Sequence, residues 1–329
     1  MHYYLQLSGL LQKILSIFRI GKLSYFQINM PSKNLIVISG PTAVGKTTLS
    51  IVIAKAFACP VISADSRQFF KEMSIGTAKP TVDEMQGVPH YFINSHSISE
   101  DYNVGKYETE TITLLEKLFQ TNENIILVGG SGLYIDAICM GFDELPEADM
   151  EIRNKINLLL KTEGIEGLQN LLQKLDITYY NKVDLKNPQR LSRALEVCLT
   201  TGKPYSELRT GEIKKRNFNI IKIGINIPRE LLYNRINQRV DDMMESGLLE
   251  EVKSLSAYKH MNALQTVGYK ELFDYLEKKS DLKLAIESIK QNTRKYAKRQ
   301  LTWFHRDKEI MWFEPDQVAE IIKYINEKS

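Results

Sequence analysis

The chain has 329 residues, long enough for two domains or one elaborated domain. With 43% hydrophobic and 25% charged residues its composition is that of an ordinary globular protein, and a net charge of +3 excludes a broadly cationic surface, so any nucleic-acid interface must be a local patch. Three widely spaced cysteines in mostly apolar contexts (Cys59, Cys139 and Cys198) suit neither a disulfide framework nor a zinc site and fit a reducing cytoplasm; no apolar run is long enough to span a membrane.

The first 29 residues carry Leu5, Leu7, Leu10, Leu11, Ile14, Leu15 and Ile17, with Lys13, Arg19 and Lys22 nearby. They suit a short amphipathic helix. No basic region precedes the apolar stretch and no small-residue cleavage site follows it, which argues against a secretory signal. We read residues 1–32 as a loosely ordered extension, because Met30 to Lys33 stands just before the first strand; a membrane-surface helix is the alternative.

The chain is organised around residues 35–48. Leu35 to Ile38 is an apolar, β-branched run that predicts a buried parallel strand, and from Gly45 the apolar positions recur with helical period (Leu49, Ile53, Ala54, Phe57). Gly40, Pro41, Thr42, Ala43, Val44, Gly45, Lys46 and Thr47 between them match G-x-x-x-x-G-K-[ST], the P-loop. The glycines let backbone N–H groups converge on phosphate oxygens, and the helix N-terminus adds about half a positive charge. Lys46 adds a mobile full charge, and the Thr47 hydroxyl can ligand Mg²⁺. The motif points to a diphosphate or triphosphate; a glycine-rich strand-to-helix turn with a surface lysine is the bland alternative.

Pro60 to Asp65 predicts a second strand, with Asp65 just past its carboxyl end, where ligands of open parallel sheets sit. Ser66, Arg67 and Gln68 follow. Residues 73–80 read as a loop, His90 to Ile93 as a third strand, Val104 to Phe119 as a helix and Asn124 to Val128 as a fourth strand. That strand ends in Gly129-Gly130-Ser131-Gly132, where a Walker-B strand would end in an acid that organises Mg²⁺. Ordinary ATP hydrolysis is therefore not expected, and Ser131 can offer a hydroxyl to the crevice.

The composition shifts near Asp143. Residues 149–175 predict helix, broken at Gly164 and Gly167, and Asn187-Pro188 predicts a capped helix start. Gln189, Arg190 and Arg193 share its polar face, suiting either solvent or phosphate and base contacts. Ile220 to Ile227 reads as a fifth strand and Ile310 to Phe313 as a last one, with mostly helix from Arg229 to Lys308. Lys290, Arg294 and Lys298 recur every four residues beside Lys295 and Arg299, with Tyr296, Trp303 and Phe304 interleaved. This predicts a basic stripe able to grip a phosphate backbone. The fold expected is α/β: a P-loop NTPase-like parallel sheet flanked by helices, with an inserted all-helical domain. The segments expected are a core first part over 33–142, the helical insertion over 143–210, and core completion with basic helices over 211–329.

With these motifs in order, the chain resembles the tRNA dimethylallyltransferases (tRNA isopentenyltransferases). The resemblance runs from about Asn34 to Phe313 and rests on residues 40–47, Ser-Ala-Asp-Ser-Arg-Gln at 63–68, Ile-Gly-Thr-Ala-Lys-Pro at 75–80 and Val-Gly-Gly-Ser-Gly-Leu-Tyr at 128–134. It continues through Asn-Pro-Gln-Arg-Leu-Ser-Arg-Ala-Leu-Glu-Val at 187–197, Val-Gly-Tyr-Lys-Glu at 267–271 and Lys-Arg-Gln-Leu-Thr-Trp-Phe at 298–304. One departure is Ser131, where bacterial members often carry threonine; the hydroxyl is kept.

The resemblance implies transfer of a dimethylallyl group from dimethylallyl diphosphate to the exocyclic amine of the adenine 3′ of the anticodon. It implies that residues 40–47 hold the diphosphate, that Lys46, Thr47 and Mg²⁺ stabilise the leaving group, and that Asp65 acts as general base. It also implies tRNA anticodon stem-loop contacts from Asp65, Ser66, Arg67, Gln68, Ser131, Arg153, Gln189, Arg190, Leu191, Ser192 and Arg193. A further diphosphate contact is expected from the helix carrying Arg235 and Arg239. A cytoplasmic monomer with no membrane partner is expected. The alternative on the same scaffold is a small-molecule or nucleotide kinase, in which Asp65 activates an acceptor hydroxyl or positions Mg²⁺; a tRNA-binding protein without catalysis is disfavoured by the intact Lys46, Thr47 and Asp65.

Overall fold

Leu35, Ile36, Val37 and Ile38 are each at most 2% exposed, which is what a strand covered on both faces requires. They lie in β1 (Asn34–Ser39) of a computed structural model that describes residues 33–147 and 149–329. The N-terminal extension with its amphipathic pattern lies outside the described residues. Alternation along β1 sends Leu35 and Val37 to one core and Ile36 and Ile38 to another on the opposite face of the sheet.

The other strands are β2 (Val61–Ser63), β3 (His90–Tyr91), β4 (Asn124–Gly129), β5 (Asn219–Ile225) and β6 (Met311–Phe313). They form one six-stranded sheet of order β3-β2-β4-β1-β5-β6, with every pairing parallel. The register aligns Ile36 with both Ile126 and Ile221. The strand expected over His90 to Ile93 stops at Tyr91 because Phe92 takes a φ of 59°, which turns the chain and sends its ring into the core.

The helices are α1 (Lys46–Ala56), α2 (Val82–Met85), α3 (Val104–Leu118), α4 (Gly132–Cys139), α5 (Met150–Leu175), α6 (Ile177–Tyr180), α7 (Pro188–Thr201) and α8 (Tyr205–Leu208). They continue with α9 (Arg229–Glu245), α10 (Leu248–Ser254), α11 (Tyr269–Leu276), α12 (Leu282–Phe304) and α13 (Val318–Lys328). Among the described residues no helix is long and apolar enough to cross a membrane.

Helices α5 to α8 bury their own cluster, including Ile156, Leu168, Leu172, Leu191, Leu195 and Cys198. Asn187 caps α7 as its sequence predicts, its side chain accepting from the Arg190 N–H. Gly164 breaks α5 with φ 68° and ψ −161°, whereas Gly167 stays buried inside the helix; only one of the two expected breaks exists. The two connectors of this segment are joined where the Asp143 carboxylate accepts from the Thr210 N–H and hydroxyl and from the Gly211 N–H.

The basic stripe on α12 needs correction. Lys290 pairs with Asp241 at 2.7 Å and Arg294 donates to Asn237 at 2.5 Å, both on α9. The four-residue spacing did put them on one face, but that face packs on a neighbouring helix. Lys295, Lys298 and Arg299 remain exposed.

Candidate active site

The carboxyl ends of β1, β4 and β2 carry the three segments that define the site. After β1 the chain turns at Gly40, whose φ is 152° and where a Cβ would stand 2.5 Å from the Ile225 carbonyl oxygen. Ala43 at φ 64° and Gly45 at φ 107° complete a loop that opens directly into α1, which has no acidic residue in its first turn. Lys46 folds back over this loop and donates to the Pro41 carbonyl at 2.7 Å. Burial, and then the charge of Arg239, push its ammonium down to about 7, with Asp65 pulling the other way. Arg239 donates to the Thr42 hydroxyl at 3.2 Å and Arg235 to the Val44 carbonyl at 3.3 Å, so α9 brings two guanidinium groups against the loop.

Asp65 follows β2 and is partly exposed. Its Oδ1 accepts from the Arg67 N–H at 2.9 Å, fixing a tight turn, while Oδ2 makes no hydrogen bond among the described residues. Ser131, after β4, accepts from the Ser66 N–H at 3.0 Å and so ties the turn of Asp65 to the end of β4. Glycine at 129 has a steric cause, since a Cβ there would sit 2.2 Å from the Ala64 carbonyl oxygen. Tyr296 of α12 faces this corner: burial, and then the field of Asp65, push its phenol up to about 12, with the nearby Ser131 pulling the other way.

Arg67 donates to the Ser66 and Asn262 carbonyls, and its buried Nε finds no partner. Gln68 is occupied within the fold: it accepts from the Ser63 hydroxyl and donates to the Thr77 and Ala78 carbonyls. That loop is held in turn by Glu251 of α10, which accepts from the Ser74, Ile75 and Gly76 N–H groups and from the Tyr269 hydroxyl.

On the helical segment, Gln189 and Arg190 are exposed and their side chains make no hydrogen bond or ion pair among the described residues. Arg153 and Arg193 converge on the buried Glu196, at 2.8 Å and 3.3 Å, and each keeps over a third of its side chain exposed. Ser192 is half-buried, and Leu191 is fully buried in the helical core, so its side chain has no surface to offer an RNA. No hydrogen bond among the described residues joins α7 to the crevice at the strand ends.

Three contributors have no role in the crevice in the sequence reading: Tyr296, Gln300 and Glu251. Gln300 accepts from the Thr42 N–H and donates to the Gly130 carbonyl, 258 and 170 residues away. Tyr296 and Gln300 lie in the basic stretch noted for its charge, and nothing local marks Glu251.

The Thr47 hydroxyl makes no hydrogen bond among the described residues, and no group of three His, Cys, Asp or Glu side chains able to hold a metal is found there. A hard cation such as Mg²⁺ fits only if a bound diphosphate supplies most of its oxygens. The crevice thus offers a cationic, amide-lined loop beside one carboxylate with a free oxygen.

Residues 68–307 match the family described as IPP transferase. The chain is 52% identical over 288 residues to the tRNA dimethylallyltransferase 2 of Azobacteroides pseudotrichonymphae, covering 88% of this chain and 94% of that protein. It is 50% identical over 296 residues to the tRNA dimethylallyltransferase 1 of Bacteroides fragilis, covering 90% and 98%. Among solved structures it is similar to the full-length tRNA isopentenylpyrophosphate transferase of Bacillus halodurans, at 36% identity and a TM-score of 0.67 over 90% of this chain and 96% of that one. It is also similar to a eukaryotic dimethylallyltransferase acting on tRNA, at 30% identity and a TM-score of 0.73 over 90% and 77%.

Proposed function

The chain belongs to the IPP transferase family, whose curated relatives are tRNA dimethylallyltransferases, and from that membership we propose how its crevice performs prenyl transfer to tRNA. The donor is dimethylallyl diphosphate and the acceptor the exocyclic amine of the adenine 3′ of the anticodon. The observation that carries this reading is the pairing of a phosphate loop with a carboxylate, Asp65, at the ends of strands whose β4 member ends in glycine. Such a site can stabilise a leaving diphosphate without directing water at a phosphate.

The amides of 43–47 and protonated Lys46 take the diphosphate, with Arg235 and Arg239 in support from α9. Thr47 would hold Mg²⁺ beside the diphosphate, where the ion would supply further positive charge to the leaving group. The allylic C–O bond breaks, its electron pair leaves with the diphosphate, and the adenine nitrogen bonds to the same carbon. Stabilising charge where it develops in this way is the largest catalytic contribution such a site can make. The free Oδ2 of Asp65 accepts the amine proton as the C–N bond forms, an effect of about 10²–10⁴ in rate for a positioned base. A loop adenine reaches the crevice by leaving its stack, which costs less than opening a duplex. The exposed Gln189 and Arg190, and the free edges of Arg153 and Arg193, meet the stem-loop away from the reacting atoms.

The test is transfer of radiolabel from dimethylallyl diphosphate to an unmodified anticodon stem-loop, with ATP in a parallel reaction. Label in the RNA without ATP is the expected result. It should be lost in Asp65→Ala with RNA binding retained. Phosphate transfer from ATP, with no prenyl label, would replace this reading with a kinase.

A further inference from the structure

Helix α12 presents one face to the crevice through Tyr296, Gln300 and Trp303, spaced four and three residues apart. Gln300 is 6% exposed. Its Oε1 accepts from the Thr42 N–H at 2.9 Å and its Nε2 donates to the Gly130 carbonyl at 2.8 Å. Thr42 belongs to the phosphate loop after β1, and Gly130 to the turn after the adjacent β4. A neutral amide carries a separate acceptor oxygen and donor NH₂, so it can accept from an N–H and donate to a C=O at once. The opposing turn is shaped to admit it, since a Cβ on Gly130 would lie 2.2 Å from Nε2.

One helical turn earlier, the Tyr296 phenol lies beside Ser131 and in the field of Asp65. Ser131 in turn accepts from the Ser66 N–H at 3.0 Å, and Asp65 is the next residue along. Trp303 secures the same face: its indole N–H donates to Asp136 at 3.0 Å and its ring fills the space against Gly132. Beyond the strand ladder, no direct hydrogen bond among the described residues joins loop 40–47 to residues 65–68 or 129–131. Both walls of the crevice are instead referenced to α12.

We infer that Gln300 and Tyr296 are positioning residues that set the separation between the diphosphate loop and the turn of Asp65. The inference rests on the reading above, in which the donor sits on that loop and the acceptor amine at Asp65. Group transfer needs its reacting atoms about 3–3.5 Å apart, and a displacement of about 1 Å can cost about 10²-fold in rate. Gln300 and Tyr296 act on that separation without adding charge to either substrate site.

The experiment uses the full chain with dimethylallyl diphosphate and an unmodified anticodon stem-loop. Gln300→Met keeps the length and removes both hydrogen bonds; Tyr296→Phe deletes one oxygen and preserves packing. Single-turnover transfer with both substrates saturating should fall about 10- to 100-fold in each variant, with both KM values within about twofold of the parent. A rate above one third of the parent in Tyr296→Phe, or a loss carried by KM alone in either variant, would overturn the inference. A parent chain that transfers no label would overturn the functional reading itself, a result the variants cannot mimic.

Discussion

Glu251 offers the clearest quantitative test of how the site is braced. Its carboxylate accepts from the Ser74 N–H at 3.0 Å, the Ile75 N–H at 2.8 Å, the Gly76 N–H at 3.1 Å and the Tyr269 hydroxyl at 2.5 Å. Oε2 serves the first two and Oε1 the others. In Glu251→Gln one oxygen survives, and the other becomes an NH₂ group facing donors. Hydrogen bonds to a charged group contribute about 1.5–3 kcal/mol each. Losing two of four, with partial exposure and non-additivity as discounts, should cost about 2–4 kcal/mol. On a domain this large that is a drop of about 5–10 °C in Tm. Urea unfolding of the full chain, with an unchanged m-value, measures it directly. Tyr269→Phe removes one partner only and should cost about 1 kcal/mol. A loss below about 1 kcal/mol in Glu251→Gln would refute the claim that this carboxylate holds the loop. Transfer should also slow, because Thr77 and Ala78 of that loop hold Gln68, three residues from Asp65.

Lys46, held near 7 in the free crevice by burial and by Arg239, must take up a proton to meet a diphosphate above that pH. Donor affinity should therefore fall as pH rises from 7 to about 9, approaching tenfold per unit, and calorimetric heats should vary with buffer ionisation enthalpy; a flat profile contradicts the protonated-lysine contact. Glu196→Gln removes the shared carboxylate under Arg153 and Arg193 and should raise the KM for RNA several-fold while sparing that for the donor; equal shifts would separate the arginines from RNA binding. Gly129→Ala sets a methyl 2.2 Å from the Ala64 carbonyl and should cost about 1–3 kcal/mol in urea unfolding, or more if the strands cannot part. An unchanged midpoint would mean that β2 and β4 separate freely there.

The parts of the site that were legible in sequence are those built locally. The strand, turn and helix of the phosphate loop occupy consecutive residues, and each carries its own signal: β-branched run, paired glycines, helical period. Asp65 could be placed because parallel strands present their carboxyl ends together. What stayed hidden depends on partners far along the chain. Period alone assigned Lys290 and Arg294 a common face, but the direction of that face depended on Asp241 and Asn237. Arg153 meets Glu196, which lies 43 residues away, only through the fold, whereas the pairing of Arg193 with Glu196, three residues on along α7, is local. Gly164 and Gly167 look alike as letters; the difference is that one takes a left-handed φ and the other packs inside α5.

The sheet order also constrains how the molecule is made. β1 is the first described strand to leave the ribosome, yet its neighbours are β4 and β5, whose first residues are Asn124 and Asn219. At about 5–20 residues per second, the β5 partner follows about 10–40 s behind. Until β4 follows, about 5–18 s behind, the nascent chain carries Leu35 to Ile38, an apolar segment suited to wrong pairing or to capture by a chaperone, with both edges unpaired, and the second edge stays open until β5 arrives. Loop 40–47 thus leaves the ribosome well before both strands that flank β1.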